Sequence, residues 1–250
     1  MNISVVIPVY NTKRKYLSKC VNSVFSQTVK PDEVIIVDDG STRQETLDFL
    51  KEQKSVEKIR VRIIRQENKG ISGALNTGIK AMTGDWWAGI ASDDEWLPLK
   101  LEEQIKCLVD NPGAKIVYSD WIRKDEDKNT IGIISEMRFS SLKKQQEYLK
   151  EGYFANWSGW LIKKEVFDKI GVFNESYKLN EDYEFIVRAS KHYMFYKAPF
   201  ALFIYRSHSE QITNTTKLGC KYILMAQDLA KELFKGVEVD DKVKCDNTVL

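Results

Sequence analysis

Cysteine is scarce in this 250-residue chain. Its four cysteines, Cys20, Cys107, Cys220 and Cys245, form no C-x-x-C pair and show no zinc-type spacing, which sets aside a zinc ribbon. Cys20 and Cys107 fall in apolar helical patterns and read as buried free thiols, so nothing demands an oxidising compartment. An excess of one charge is also missing: 38 basic against 36 acidic side chains leave +2. A protein that coats nucleic acid needs a basic excess on one face, so no nucleic-acid partner is expected. No run approaches the roughly 20 apolar residues of a membrane span. The first residues carry neither a charged n-region nor a small-residue cleavage site, so a cytoplasmic location is the expectation. No G-x-G-x-x-G follows the first apolar run, which counts against a standard dinucleotide-binding fold. There is no internal repeat and no low-complexity segment.

What is present is a regular alternation. Ile3 to Val9, Glu33 to Val37, Ile59 to Ile64, Trp86 to Ile90 and Lys115 to Tyr118 are short apolar runs of the kind buried strands show. Between them lie helical patterns around Tyr16–Phe25, Leu47–Leu50, Ile71–Met82 and Leu101–Leu108. Ser41 or Thr42 is expected to cap the second helix, and Gly84 to close the third. Five alternations predict an α/β fold with a single Rossmann-like, mostly parallel sheet flanked by helices. The second half reads as a hairpin with its turn in Arg123–Thr130 and an amphipathic helix over Phe139–Lys150. Short helical pieces follow over Leu161–Ile170 and Asp182–Ser190, then a strand over Ala198–Tyr205 and a helix over Lys217–Lys235. Residues 236–250 read as a polar tail.

Ligands of such sheets lie outside the carboxyl ends of the strands. Three polar clusters fall there: Tyr10-Asn11, Asp38-Asp39 and Ser92-Asp93-Asp94. Asp93 and Asp94 repel each other, so burying them together favours a divalent cation, which takes oxygen ligands and substrate phosphates. The alternative is an acidic helix N-terminus that only favours the macrodipole. Asp39 can accept from a ribose or base, or simply close a turn. Asp182, before an apolar helical stretch, is a candidate general base or an ordinary acidic helix start. His208, one of two histidines, follows a strand and can reach a metal or lie on the surface. Of six tryptophans, Trp96 and Trp157 are candidates to stack on an acceptor sugar, with core packing as the other reading.

Taken in order, these clusters resemble the family-two glycosyltransferases, the large inverting group with a GT-A fold. The resemblance runs from about Ile3 to Thr213. It rests on Ser4-Val5-Val6-Ile7-Pro8-Val9-Tyr10-Asn11, Glu33 to Thr42, Asn68-Lys69-Gly70, Asn76-Thr77-Gly78, Ser92-Asp93-Asp94, Gly171 to Glu175, Glu181-Asp182 and Tyr205-Arg206-Ser207-His208. It implies one catalytic domain over 1–235, with a nucleotide-sugar half over 1–120 and a smaller acceptor half with the C-terminal helix over 121–235. It implies that Pro8, Tyr10, Asn11, Asp39, Lys69, Gly70, Asn76, Ser92 and Asp93 hold the donor nucleotide. Asp93, Asp94 and His208 would hold Mg²⁺ or Mn²⁺, Asp182 would deprotonate the acceptor hydroxyl, and Trp96, Trp157 and Glu181 would meet the acceptor. The donor expected is a UDP-sugar, and the acceptor a glycan or lipid-linked saccharide, in surface polysaccharide synthesis. Peripheral association with the inner face of the cytoplasmic membrane follows, with Lys143, Lys144, Lys217 and Lys221 as candidate contacts.

Three positions depart from the pattern. Ala91 stands where many members carry a carboxylate, Arg43 where an acidic residue is frequent, and Leu75 where many have arginine. Ala91 alone favours a second reading, a glycan- or nucleotide-binding member that has lost turnover. A nucleotidyltransferase, which presents a glycine-rich basic loop after its first strand, does not fit Pro8-Val9-Tyr10-Asn11.

Overall fold

The computed structural model describes residues 1–55, 58–127, 129–211 and 216–237. Among the described residues nine strands form one sheet: β1 (Ile3–Val9), β2 (Glu33–Asp38), β3 (Arg60–Arg65), β4 (Trp86–Gly89), β5 (Glu95–Trp96), β6 (Ile116–Lys124), β7 (Thr130–Ile134), β8 (Leu161–Lys163) and β9 (Tyr196–Arg206). Their order is β3-β2-β1-β4-β8-β6-β9-β5, with β7 paired to β6. The first four strands are parallel, and β9 runs parallel to β6. Because β8 is antiparallel to both β4 and β6, those two share a direction. Only β5, β7 and β8 oppose the rest.

Every residue of β1 and β2 is buried, and their side chains alternate between two cores. Val5, Ile7, Val34 and Ile36 face α1 (Arg14–Phe25), α2 (Gln44–Glu52) and α4 (Lys100–Asp110). Val6, Ile35 and Val37 face α3 (Gly70–Ala81), and the same core takes in α5 (Leu142–Leu149), α6 (Lys164–Ile170), α7 (Glu181–Ala189) and α8 (Thr216–Leu233). Gly78 lets α3 approach closely, since a Cβ there would lie 2.3 Å from Val6 Cγ1. β3 is the open edge, and its Arg60, Arg62 and Arg65 discourage pairing with another chain.

Pro8 sits in a central strand without breaking it. Val6 O accepts from Ile90 N on the β4 side, and Val9 O from Asp39 N on the β2 side. Pro8 therefore faces β4, beyond the last β4 partner of β1 at Val6–Gly89. With no N–H at Pro8 to make the next bond, the β1–β4 ladder stops there.

Three sequence expectations change. Leu161–Lys163 is a strand, inserted between β4 and β6, and only Lys164–Ile170 is helical. β6 runs on to Lys124 to form the expected hairpin with β7. Neither Ser41 nor Thr42 caps α2; the Asn11 carboxamide oxygen accepts from Thr42 N at 2.7 Å and Arg43 N at 2.8 Å from across the sheet. Cys20 and Cys107 are buried free thiols, as expected. Thr213, Cys245, the Lys217 side chain and most of the 236–250 tail lie outside the described residues. Among the described residues no helix is long and apolar enough to cross a membrane.

Candidate functional site

The carboxyl ends of β1, β2 and β4 bring the three polar clusters together. Tyr10 is 53% exposed at the mouth. Asn11 adopts φ 51°, donates its N–H to Ser41 Oγ at 2.9 Å, and braces α2 as described. The buried Asp39 carboxylate accepts from Gln66 Nε2 at 2.7 Å, Lys69 N at 2.8 Å and Gly70 N at 2.9 Å. It thus holds the start of α3, where Gly70 takes φ 77°, a value that favours glycine. Lys69 is exposed beside it. Ser92 Oγ lies 2.7 Å from Thr12 Oγ1, tying the β4 end to the loop after β1. Asn76 does not line this mouth. It is buried, and its amide bonds Phe173 O, Phe173 N and Glu175, latching α3 to the 171–177 loop. Leu75 is fully buried in the core, so no cation reaches the site from that position.

The two adjacent carboxylates part company. Asp93 is partly exposed, and its Oδ2 lies 2.9 Å from His208 Nε2. Asp94 points inward, 1% exposed. Its Oδ2 accepts from Ser158 Oγ at 2.7 Å and its Oδ1 from Arg206 N at 3.2 Å. Burial, and then the Asp93 charge, push the Asp94 carboxyl well above the usual range. The His208 ring stacks on Tyr16 at 4.9 Å. The buried Arg206 donates to Asp93 O and Glu95, and its guanidinium stands 5.3 Å over the same tyrosine. Among the described residues no three His, Cys, Asp or Glu side chains converge as a metal cluster. Of the expected trio, Asp93 and His208 face each other, while Asp94 is held by Ser158 and by the backbone of β9. One carboxylate and one imidazole fit Mg²⁺ or Mn²⁺ when a diphosphate supplies the other oxygens.

Asp182 and Glu181 open α7 behind Asn180, whose φ of 56° turns the chain sharply into the helix. Both are buried. Asp182 Oδ2 accepts from the Tyr153 hydroxyl, and Oδ1 from Tyr183 N at 2.9 Å. Burial raises its carboxyl to about 6 against these two donors. Burial, then the Asp182 charge, raises Glu181 to about 8, with the Trp157 indole donating to it. A carboxylate poised near neutral pH suits general-base work.

The tryptophans divide. Trp157 is buried against Gly89, where a Cβ would meet its ring at 2.8 Å, and it faces Glu181. Trp96 is not in an acceptor groove. It is 2% exposed, donates Nε1–H to Ser158 O at 2.8 Å, and carries the Lys100 ammonium 3.8 Å from its ring. Sequence reasoning missed Tyr16, Ser158 and Tyr153. Tyr16 was visible only as one of several apolar helix positions, and the other two sit in segments without period.

The family profile described as "Glycosyl transferase family 2" matches residues 4–171. An uncharacterised glycosyltransferase of Rickettsia prowazekii is 31% identical over 226 residues, covering 85% of this chain and 66% of that protein. One from Rickettsia conorii is 31% identical over 193 residues, covering 73% of this chain and 30% of its own length. The chain thus spans between about a third and two thirds of these curated relatives. The crystal structure of Staphylococcus aureus TarS residues 1–349 in complex with UDP-GlcNAc superposes with TM-score 0.73 at 17% identity, covering 96% of this chain and 68% of that one. That likeness confirms the mixed α/β GT-A fold, with its mostly parallel sheet flanked by helices. The profile match spans two thirds of the sequence, and by it the chain belongs to glycosyl transferase family 2.

Proposed function

We propose that the chain transfers a sugar from a nucleoside-diphosphate sugar, a UDP-sugar in the first instance, to a hydroxyl of a glycan or lipid-linked acceptor, inverting the anomeric centre. The observation that carries the reading is a buried carboxylate raised to about 6, Asp182, at the head of α7, in a fold whose sheet presents Asp93 and His208 at its carboxyl end. TarS, whose fold this chain shares, is crystallised with UDP-GlcNAc and with UDP.

Residues 1–120 hold the donor and 121–235 the acceptor. Tyr10, Asp39, Lys69, Gly70 and Ser92 surround the nucleotide; Asp39 acts by shaping the Lys69–Gly70 backbone. Asp93 and His208 would hold Mg²⁺ or Mn²⁺, which would supply charge neutralisation to the departing diphosphate. The acceptor hydroxyl gives its proton to Asp182 Oδ. Its oxygen forms the new bond to the anomeric carbon as the bond from that carbon to the phosphate oxygen breaks. The electron pair leaves with the nucleoside diphosphate, and one in-line attack inverts the centre. The Tyr153 hydroxyl and Tyr183 N–H keep Asp182 anionic and oriented until that step. With a lipid-linked acceptor the enzyme would work at the inner membrane face; co-flotation with anionic vesicles tests this part.

Calorimetric titration of UDP and GDP with and without Mn²⁺ tests the donor. Metal-dependent UDP binding lost in Asp93→Ala is the expected result, and no binding of either nucleotide sinks the reading. A second reading, a binder without turnover, draws on Ala91, which leaves the cation two protein ligands. Slow hydrolysis of UDP-sugar without acceptor separates the two, because a binder leaves the donor whole.

A further inference from the structure

The turn at 156–160, a single 3₁₀ turn over Trp157–Gly159, is bound more tightly than its length calls for. Three successive carbonyls are each captured by a side chain of the β5–α4 segment: Ser158 O by Trp96 Nε1 at 2.8 Å, Gly159 O by Gln104 Nε2 at 2.6 Å, and Trp160 O by Lys100 Nζ at 3.0 Å. Lys100 and Gln104 are fully buried. Burying a lysine is costly, and a helix-to-turn contact does not need one. The chain enters the turn through Ala155 at φ 66°, a strained value for a residue with a Cβ.

The turn's two outward side chains reach opposite parts of the site. Ser158 Oγ donates to Asp94 at 2.7 Å and accepts from Ala91 N at 3.1 Å, at the donor end. Trp157, one residue earlier, packs in the same core as Tyr183, which follows Asp182, and its indole meets Glu181. Adjacent residues of a rigid turn cannot move independently, so the spacing of the two ends is set by how the turn is held.

We propose that Trp157 and Ser158 are positioning residues that fix the donor-binding end against the Glu181–Asp182 pair, and that Lys100, with Gln104, is the buried strut holding them in place. Neither touches the reacting atoms; both act through Asp94 and Glu181. The coupling to catalysis rests on the function proposed above, while the mechanical claim concerns the turn alone.

The test uses the full chain and two readouts: UDP affinity by calorimetry with Mn²⁺, and the ionisation of Glu181 and Asp182 followed by ¹³C-carboxyl NMR. Ser158→Ala, which loses the hydrogen bonds to Asp94 and from Ala91 N, is expected to weaken UDP about tenfold and to leave the carboxyl titration in place. Trp157→Phe is expected to shift that titration and leave UDP affinity within about twofold. Lys100→Met, releasing the turn, moves both. If Lys100→Met does not fold, Gln104→Met takes its place; it also removes an amide oxygen that has no hydrogen-bond partner among the described residues. Two unmoved readouts in a folded strut variant overturn the proposal. If the wild type binds no nucleoside diphosphate, the proposed function fails by itself. The carboxyl titration then decides the strut: shifted in Lys100→Met it stands, unmoved it falls.

Discussion

The amino end of β2 and the head of α7 both bury carboxylates, and they treat them in opposite ways. At the amino end of β2, Glu33 is 1% exposed. It accepts from Ser4 Oγ, from Thr83 N and Oγ1, and from Arg60 and Arg62. Burial pushes its carboxyl up, but these donors outweigh burial and hold it down at about 2. At the head of α7, Glu181 and Asp182 meet neutral donors, from Trp157, Tyr153 and the Tyr183 backbone, and rise to about 8 and about 6. At neutral pH Glu33 is therefore firmly ionised, Glu181 holds its proton, and Asp182 sits close to its titration point. Donor number and charge decide the outcome: Glu33 is fastened, and Asp182 is left able to take a proton.

The sharpest way to break this contrast is to neutralise each end in turn. Asp182→Asn should lower transfer by about 10²–10⁴-fold with UDP affinity unchanged. An enzyme with normal turnover ends the assignment. Glu33→Gln should do the reverse, leaving kcat within about twofold while costing roughly 2–4 kcal/mol in denaturant titrations, because it leaves Arg60 and Thr83 facing a neutral amide.

The pH dependence separates the ends by sign. Asp182 must be ionised to act, so kcat should rise with pH through about 6. Glu33 is depressed below its unfolded value, so its stabilisation is present above about 4.5 and lost as pH falls towards about 2. Glu181 is raised, so its contribution is present below the unfolded value and lost as pH climbs through about 8. Glu181→Gln should therefore flatten the stability curve between about pH 4.5 and about 8, by roughly 1–3 kcal/mol over that window, and leave it unchanged below about 4.5. Equal slopes in wild type and variant would show that Glu181 is ionised throughout.

A smaller effect belongs to Trp96, which packs in the core beside the turn. Trp96→Phe should cost about 1 kcal/mol for the indole hydrogen bond to Ser158 O and leave acceptor KM unchanged. A several-fold rise in acceptor KM would restore it to the acceptor groove.

The parallel half was legible because its signals are local. β1 to β4 are apolar runs bounded by turn residues, and each cluster at a strand end follows its strand directly. The other half hid its elements in pieces too short to show a period. β5 has two residues, β8 three, and the turn that links Asp94 to Glu181 has three. Single residues misled for a related reason. Asn11 and Asp39, expected as ligand contacts, also brace α2 and α3 with their polar atoms, which no local signal showed. Asn76 read as pocket lining and is a latch to a loop 97 residues away. An amide or carboxylate carries the same letter whether its partner is a ligand or distant backbone.

Sequence alone determined the α/β alternation, the three clusters at the strand ends and the family, because each depends on side-chain period or on residues adjacent in the chain. Tertiary structure alone decided that Asp93 pairs with His208 while Asp94 turns inward, and that Trp96 is core. It also decided that Asp182 is raised while Glu33 is lowered. Those outcomes hang on burial and on donors supplied from more than a hundred residues away for His208, 64 for Ser158 and 50 for Thr83. Only a folded chain brings such groups within hydrogen-bond distance, and charge states follow from that distance.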